Sequence, residues 1–487
     1  VIVAALLYKE STVRKWCWIG LVLGVCGSHL GLATAATGSR QAVPPHGVVV
    51  LWGGGDAPPV RLVERFTAIA GKDSHAGDAA ALVVGRGPGR SASTVPARAA
   101  GGVSTIMPVP ATEPTLADRL GAVPTAWVNL PDVPSDTLVL DRLLVDARFL
   151  DPTPPPGLVA RLAADPGVIG VGVGPDAALV VDGRTLESAG RGPVAICLPA
   201  SVTQPGRRPL RVDRLVPGER ADLVALSRAA IARLGPQFPP EHPATPDVPT
   251  GTLFPCGGGN LPDAVWGRFI ELAGGPGSPI VVLSIGSPTP DDPAPKGLDV
   301  LKRLGCRDVT VLAQRARADV ESPTFANALR RARGVWFVGG RQWRYVDAYE
   351  GTQAPRLFAD VLARGGVVGG SSAGAAIESE YMVRGNPLGN RQISAEGYER
   401  GLGLLSGTAI DIHVAQRGRL SDLTGLVHAW PQLLGLALDE QTACEVHGHV
   451  LTVLGDGRLN IVDGLADTTV TLGAGRRYDL RTRQTVN

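Results

Sequence analysis

In the C-terminal half of the chain, short unbroken apolar runs rich in β-branched residues occur at 280–284, 309–313, 335–338 and 367–368. Runs of this length without polar alternation suit strands buried on both faces. Between them, apolar positions recur at helical spacing. Ser322-Pro323 supplies an N-cap followed by proline at the first helical position, and Phe325, Leu329 and Ala332 then fall on one face. Strands alternating with helices predict an α/β fold whose mostly parallel sheet is covered by helices on both sides. From Ala437 onward the pattern changes to strands and turns, marked by Gly455-Asp456-Gly457. In such a sheet, functional groups gather beyond the carboxyl ends of the strands, where Gly339-Gly340 and the Gly/Ser-rich run 366–377 fall.

The pattern occurs twice. Val48-Val49-Val50-Leu51-Trp52-Gly53-Gly54-Gly55 leads to Arg65-Phe66 and Ala70-Gly71, as Thr252-Leu253-Phe254-Pro255-Cys256-Gly257-Gly258-Gly259 leads to Arg268-Phe269 and Ala273-Gly274. Downstream, Leu144-Val145-Asp146 answers Ala409-Ile410-Asp411, and Asp165-Pro166 answers Trp430-Pro431, both at 411 − 146 = 265 residues. A constant step over this span predicts a tandem duplication. Residues 46–235 form the first copy and 250–487 the second. The stretch 236–249, with prolines at 236, 239, 240, 243, 246 and 249, is a semi-rigid linker between them.

Composition changes this picture little. With 44% hydrophobic and 19% charged residues the chain is globular, and a net charge of +2 excludes a nucleic-acid partner held by bulk electrostatics. Lys9, Arg14 and Lys15 precede the apolar run 16–32, and Ala33-Thr34-Ala35 fits a cleavage site. Residues 1–35 therefore match a secretory signal peptide, and the expected location is periplasmic or extracellular. Glycines break the run, so a permanent span is not expected; anchoring by an uncleaved signal is the alternative. Outside that segment Cys197, Cys256, Cys306 and Cys444 are widely spaced. They predict buried thiols, with a disulfide left open, and neither a metal nor another cofactor site.

Gly370-Ser371-Ser372-Ala373-Gly374 has the G-x-S-x-G form of a nucleophile elbow. The turn presents the Ser372 hydroxyl, and the N–H after it faces a developing oxyanion at a helix N-terminus. A serine needs a base held by a carboxylate. His413 closes the apolar run 409–412, ahead of His428, His447 and His449; Glu440 ends the run 436–438, with Asp439 its local competitor.

Gly339-Gly340 with Gln342, the run 369–376, Gly401-Leu402-Gly403-Leu404-Leu405 leading to Asp411 and His413, and Asp439-Glu440-Gln441-Thr442-Ala443 together resemble the cyanophycinase-like serine peptidases of family S51. The resemblance covers nearly all of 250–487. It implies a class I glutamine-amidotransferase-like α/β sandwich and a triad of Ser372, His413 and Glu440, with the backbone at Gly340 and Ala373 as oxyanion hole. It places Gln342, Asp411, Arg417 and Arg419 at substrate-binding positions. It also implies a peptide or polypeptide substrate with aspartyl linkages, such as a polyaspartate bearing arginine through isopeptide bonds. Ile412 stands where the family has glutamine, and Asp422 where arginine is usual. The reversed charge at Asp422 is expected to favour a cationic group near the scissile aspartate. A small-peptide aspartyl dipeptidase and a catalytically silent scaffold are the rival readings. The first copy carries Arg148 and Pro175 where the step of 265 requires His413 and Glu440. Ser104, in Ala100-Gly101-Gly102-Val103-Ser104, is its candidate elbow serine, with about 64 residues lost before it. Packing against the second copy or mediating a homodimer is its expected role.

Overall fold

The computed structural model describes strands Val48–Trp52, Thr125–Asn129, Leu138–Leu140 and Leu143–Val145, and residues 153–173, 177–182 and 184–486. The chain divides into residues 1–40 and 41–487; the first unit, with the expected signal segment, lies outside the described residues, as does Ser104. No helix among the described residues is long and apolar enough to cross a membrane.

The N-terminal half contains β1 (Val48–Trp52), β2 (Thr125–Asn129), β3 (Leu138–Leu140), β4 (Leu143–Val145), α1 (Pro156–Ala164), β5 (Ile169–Val173), β6 (Ala177–Asp182), β7 (Thr185–Gly190), β8 (Val194–Leu198), β9 (Arg211–Leu215), β10 (Arg220–Asp222) and α2 (Leu223–Leu234). They form two sheets of order β10-β7-β6-β1-β2 and β3-β4-β5-β8-β9.

In the C-terminal half one sheet comprises β11 (Val248–Cys256), β12 (Ile280–Leu283), β13 (Val309–Leu312), β14 (Gly334–Phe337), β15 (Val367–Ser371), β19 (Thr442–Gly448), β20 (Val450–Gly455), β23 (Arg477–Asp479) and β24 (Gln484–Val486). Its order is β13-β12-β14-β15-β11-β19-β20-β23-β24. The other runs β16 (Ser379–Tyr381), β17 (Leu405–Ile412), β18 (Leu434–Leu438), β21 (Leu459–Asp463) and β22 (Thr468–Leu472). Five strands of the larger sheet are parallel neighbours, β13 through β11, and the rest are antiparallel. The sheet is therefore mixed and not mostly parallel: the turn-rich tail adds hairpins to its edge.

Both faces of the parallel part are dry, which explains the unbroken apolar runs. Val281, Leu283, Val335 and Phe337 enter one core with the helices α4 (Pro323–Arg331), α5 (Trp343–Tyr349) and α6 (Ala354–Ala363). Ile280, Val282, Trp336 and Val338 enter the opposite core with Val265, Trp266, Phe269 and Ile270 of α3 (Asp263–Leu272). The Ser322 hydroxyl caps α4 by accepting from Phe325 N at 3.3 Å, as its sequence predicts. Between the cores, the Glu378 carboxyl is fully buried with neither oxygen hydrogen-bonded, and burial pushes its pKa well above the carboxylate range. The four described cysteines are buried free thiols.

Part of the strand pairing recurs in the two halves. β1 pairs parallel with β2 and antiparallel with β6, as β11 does with β15 and β19. β5, β6, β7 and β8 begin 434 − 169 = 265 residues before β18, β19, β20 and β21. In register, Val48 faces Thr125 and Thr252 faces Val367, a step of 367 − 125 = 242. The stretch 236–249 is packed: Phe238 stacks on Tyr381 at 5.8 Å, and Pro240 O accepts from Gln432 Nε2.

Candidate active site

Four elements end at one place. β15 runs straight into α7 (Ala373–Ala376) through Ser372, whose φ of 57° is a conformation that non-glycine residues rarely hold. Close packing permits the turn. A Cβ at Gly374 would lie 2.1 Å from Phe337 O, and one at Gly370 would lie 2.6 Å from Gly374. Ala373 opens the helix, so its N–H has no intrahelical acceptor. Gly340, at φ 139°, follows β14 and lines the same cleft.

His413 follows β17 in the left-handed region, φ 56°, where its own N–H donates to Gly257 O at 3.1 Å. Its ring bridges the site: Nε2 is 2.7 Å from Ser372 Oγ, and Nδ1 is 2.6 Å from Glu440 Oε1. Burial lowers the imidazole pKa below 6.5, opposed by the hydrogen bond to Glu440 and reinforced by Arg417. Asp439 points elsewhere, its Oδ1 accepting from Ala415 N at 2.9 Å. His428 faces Asp467, His447 faces Gly251 O and His449 faces Asp247.

A cleft of about 260 Å³ adjoins Ser372, lined also by Gly340, Gln342, Arg384, Asn390, Ile412, Arg417 and Arg419. Gln342 spends its Nε2 on Val383 O at 2.6 Å, and Arg419 donates to Ile412 O at 3.1 Å. Burial, with Arg384 adding to it, pushes the Arg419 pKa down to about 10. Asp411 does not line the cleft. It is fully buried and saturated by Arg384 Nε and Nη2 and by Ile412 N. Arg384 escapes notice in the sequence because it lies in an irregular segment. It too holds a positive φ, 56°, and Asp422 Oδ2 completes its pairing at 3.0 Å. Burial works against its charge, but the two aspartates hold its pKa above the ordinary value. Asp422 is thus a counter-ion of Arg384, and the cleft has three arginines and no acidic lining residue. The cation preference expected from Asp422 has no such basis.

Strain concentrates here. Of six non-glycine residues with positive φ among those described, Ser372, Arg384, His413 and Gln441 surround the cleft or the His413–Glu440 pair. Gly258 and Gly259, at φ 108° and 72°, lie against the His413 ring and the Glu440 carboxyl. In the sequence they mark only the repeat.

The family profile of Peptidase family S51 matches residues 290–454, which include Ser372, His413 and Glu440. A cyanophycinase of Synechococcus elongatus is 34% identical over 218 residues, covering 42% of this chain and 66% of its own. The chain thus spans just under two thirds of that relative. A cyanophycinase of Trichormus variabilis is 31% identical over 231 residues, covering 45% of this chain and 76% of its own. A crystal structure of a peptidase from an acI-B1 Actinobacterium superposes with a TM-score of 0.40 at 21% identity, over 47% of this chain and 97% of that one.

Proposed function

Because the chain belongs to peptidase family S51, we propose that its C-terminal half is a serine peptidase with Ser372 as nucleophile, His413 as base and Glu440 as the carboxylate that orients it. The observation that carries this reading is the continuous contact Ser372 Oγ–His413 Nε2–His413 Nδ1–Glu440 Oε1, at 2.7 and 2.6 Å. His413 takes the Ser372 proton as Oγ attacks the scissile carbonyl. The N–H groups of Gly340 and Ala373 receive the oxyanion. His413 then gives the proton to the leaving amine, and water resolves the acyl-enzyme by the same path. A fluorophosphonate probe should label the wild type and the Ser104→Ala variant but not Ser372→Ala. Labelling that survives in Ser372→Ala would overturn the assignment.

The substrate presents an anionic, aspartyl-type group. Arg417 has no ion pair among the described residues and lines the cleft with Arg384 and Arg419. The relatives are named cyanophycinases, and aspartyl-linked polymer is one candidate. The burial of Asp411 under Arg384 favours short aspartyl peptides, because no lining carboxylate remains to receive an arginine side chain. Asp422→Arg should raise KM for an aspartyl peptide by about fivefold to tenfold, as a half-exposed charge-assisted bond is worth ~1 kcal/mol and repulsion adds to its loss. An unchanged KM would remove Arg384 from substrate binding.

The N-terminal half is, in this reading, a degenerate copy of the catalytic half. The shared strand pairing and the 265-residue step support it. Arginine and proline at 148 and 175 can serve neither as base nor as orienting carboxylate.

A further inference from the structure

We infer that the N-terminal half is a positioning module for the cleft: its arginines clamp segment 396–399 and thereby set Arg384 and Asn390 beside Ser372. This rests on the cleft being the substrate site. Residues 384–400 leave the small sheet after β16 and return through an isolated bridge between Tyr381 and Arg400. The excursion contains no helix or strand, yet it supplies two of the residues that line the cleft. Its internal backbone bonds are few: Arg384 N to Ile393 O and Met382 N to Glu399 O, both at 2.7 Å, tie its ends, and Gly389 N to Asn386 O and Tyr398 N to Ala395 O close two turns. A segment with so few ladder bonds takes its shape from side-chain contacts.

Around 386–394 those contacts come from the C-terminal half, with Arg341 Nη2 donating to Gly389 O at 3.0 Å, Arg384 Nη1 to Arg391 O at 2.9 Å and the Tyr381 hydroxyl to Ser394 Oγ at 3.0 Å. At 396–399 they come from the other half of the chain. Arg233, on α2, grips Glu396 with two parallel bonds, Nε to Oε1 at 2.7 Å and Nη2 to Oε2 at 3.1 Å. Arg211 reaches the same carboxylate at 3.2 Å, and Arg208 donates to Glu399 at 2.7 Å. Arg228 Nε donates to Gly397 O at 2.9 Å, and Arg184 Nη2 donates to the Tyr398 hydroxyl at 3.0 Å. The backbones touch as well: a Cβ on Gly397, φ 86°, would lie 2.5 Å from Ala229 N on α2.

Arg233 is set up for this task. It is 3% exposed, and its Nη1 already donates to Pro199 O and Pro209 O, so the fork is fixed within the N-terminal half. A charge buried to this degree is stable only with its carboxylate in place. The opposite wall is held too. Arg184 pairs with Asp347 at 2.9 Å and lies over Trp343, on the helix that begins just after Gly340 and Gln342. Simple docking of two domains would not require the contacts to converge on the two segments that carry Gly340, Gln342, Arg384 and Asn390 to the cleft.

The test compares Arg233→Ala and the milder Arg208→Gln with the full-length wild type. Amide hydrogen exchange in 385–395 should accelerate about tenfold or more in Arg233→Ala and less in Arg208→Gln, with 367–377 unchanged. KM for aspartyl p-nitroanilide should rise about tenfold, while fluorophosphonate labelling of Ser372 stays within about threefold of wild type. Glu396→Gln, which keeps hydrogen-bond acceptance, should fall between wild type and Glu396→Ala. Unchanged exchange in 385–395, or equal acceleration in both segments, overturns the proposal. A wild type that is neither labelled nor active would instead overturn the peptidase reading, and the exchange measurement would still decide this one.

Discussion

Replacing His413 by alanine is expected to lower kcat/KM for peptide hydrolysis by roughly 10⁴–10⁶-fold, because members of a proton-transfer triad act as a unit. The ring touches both Ser372 and Glu440, and no other histidine among those described comes near Ser372. The residue is buried, but its ring lies against the polar side chains of Ser372 and Glu440, so cavity effects should be small. The unfolding midpoint should therefore move by only a few degrees. Glu440→Gln should cost less, about 10²–10⁴-fold, because a neutral partner still fills the space but favours the wrong tautomer. Asp439→Asn should be the mildest of the three, as Asp439 serves the Ala415 N–H. If it proved worse than Glu440→Gln, the orienting carboxylate would be Asp439.

The pH profile carries an independent sign. The base must be neutral, and burial lowers its pKa from 6.5, so the acid limb of kcat/KM should lie below pH 6.5. Activity persists into weakly acidic solution and is lost as pH falls through the lowered pKa. Glu440 raises that pKa, so the residual activity of Glu440→Gln should show an acid limb shifted further down. A limb above 6.5 in the wild type would mean that the titrating group is not this buried imidazole.

Local signals made the catalytic half legible. The apolar runs at 280–284 and 335–338 are continuous because side chains feed two cores, and a strand–glycine–serine–helix succession leaves little choice of turn. Ser372, His413 and Glu440 could be placed because each ends an apolar strand. Side chains whose meaning depends on distant partners were not legible. Asp411 matches a binding position by type, but Arg384 consumes it, and Arg384 belongs to a segment without periodicity. The clamp on Glu396 joins residues 396 − 233 = 163 apart, beyond the reach of any local pattern. Hydrophobic alternation also did not indicate that the C-terminal hairpins would extend the parallel sheet.

Gly258→Ala should lower kcat by about 10²–10³-fold while leaving KM within a few-fold of wild type. The backbone there has φ 108°, which a Cβ disfavours, and the added carbon would lie 2.3 Å from His413 Cε1 and 2.8 Å from Nε2. An ordinary contact needs more than 3.4 Å, so the ring must retreat by about 1 Å, and a displacement of that size at a reacting group costs on the order of 10²-fold. The His413 backbone cannot follow easily, because its N–H is bonded to Gly257 O next door. Gly259→Ala, whose Cβ would meet the flexible end of Glu440 at 2.7 Å, should be milder. Gly267 is the control: it lies inside α3 with nothing within 4 Å of the place a methyl group would take, so Gly267→Ala should leave kcat unchanged and add roughly 0.5–1 kcal/mol of stability. The fluorophosphonate labelling rate of Gly258→Ala should fall in step with its kcat, since both report the same proton transfer from Ser372. Full labelling with lost peptide turnover would place the defect in the cleft and not at His413. Full retention of both would mean that the ring has room to move without losing Ser372.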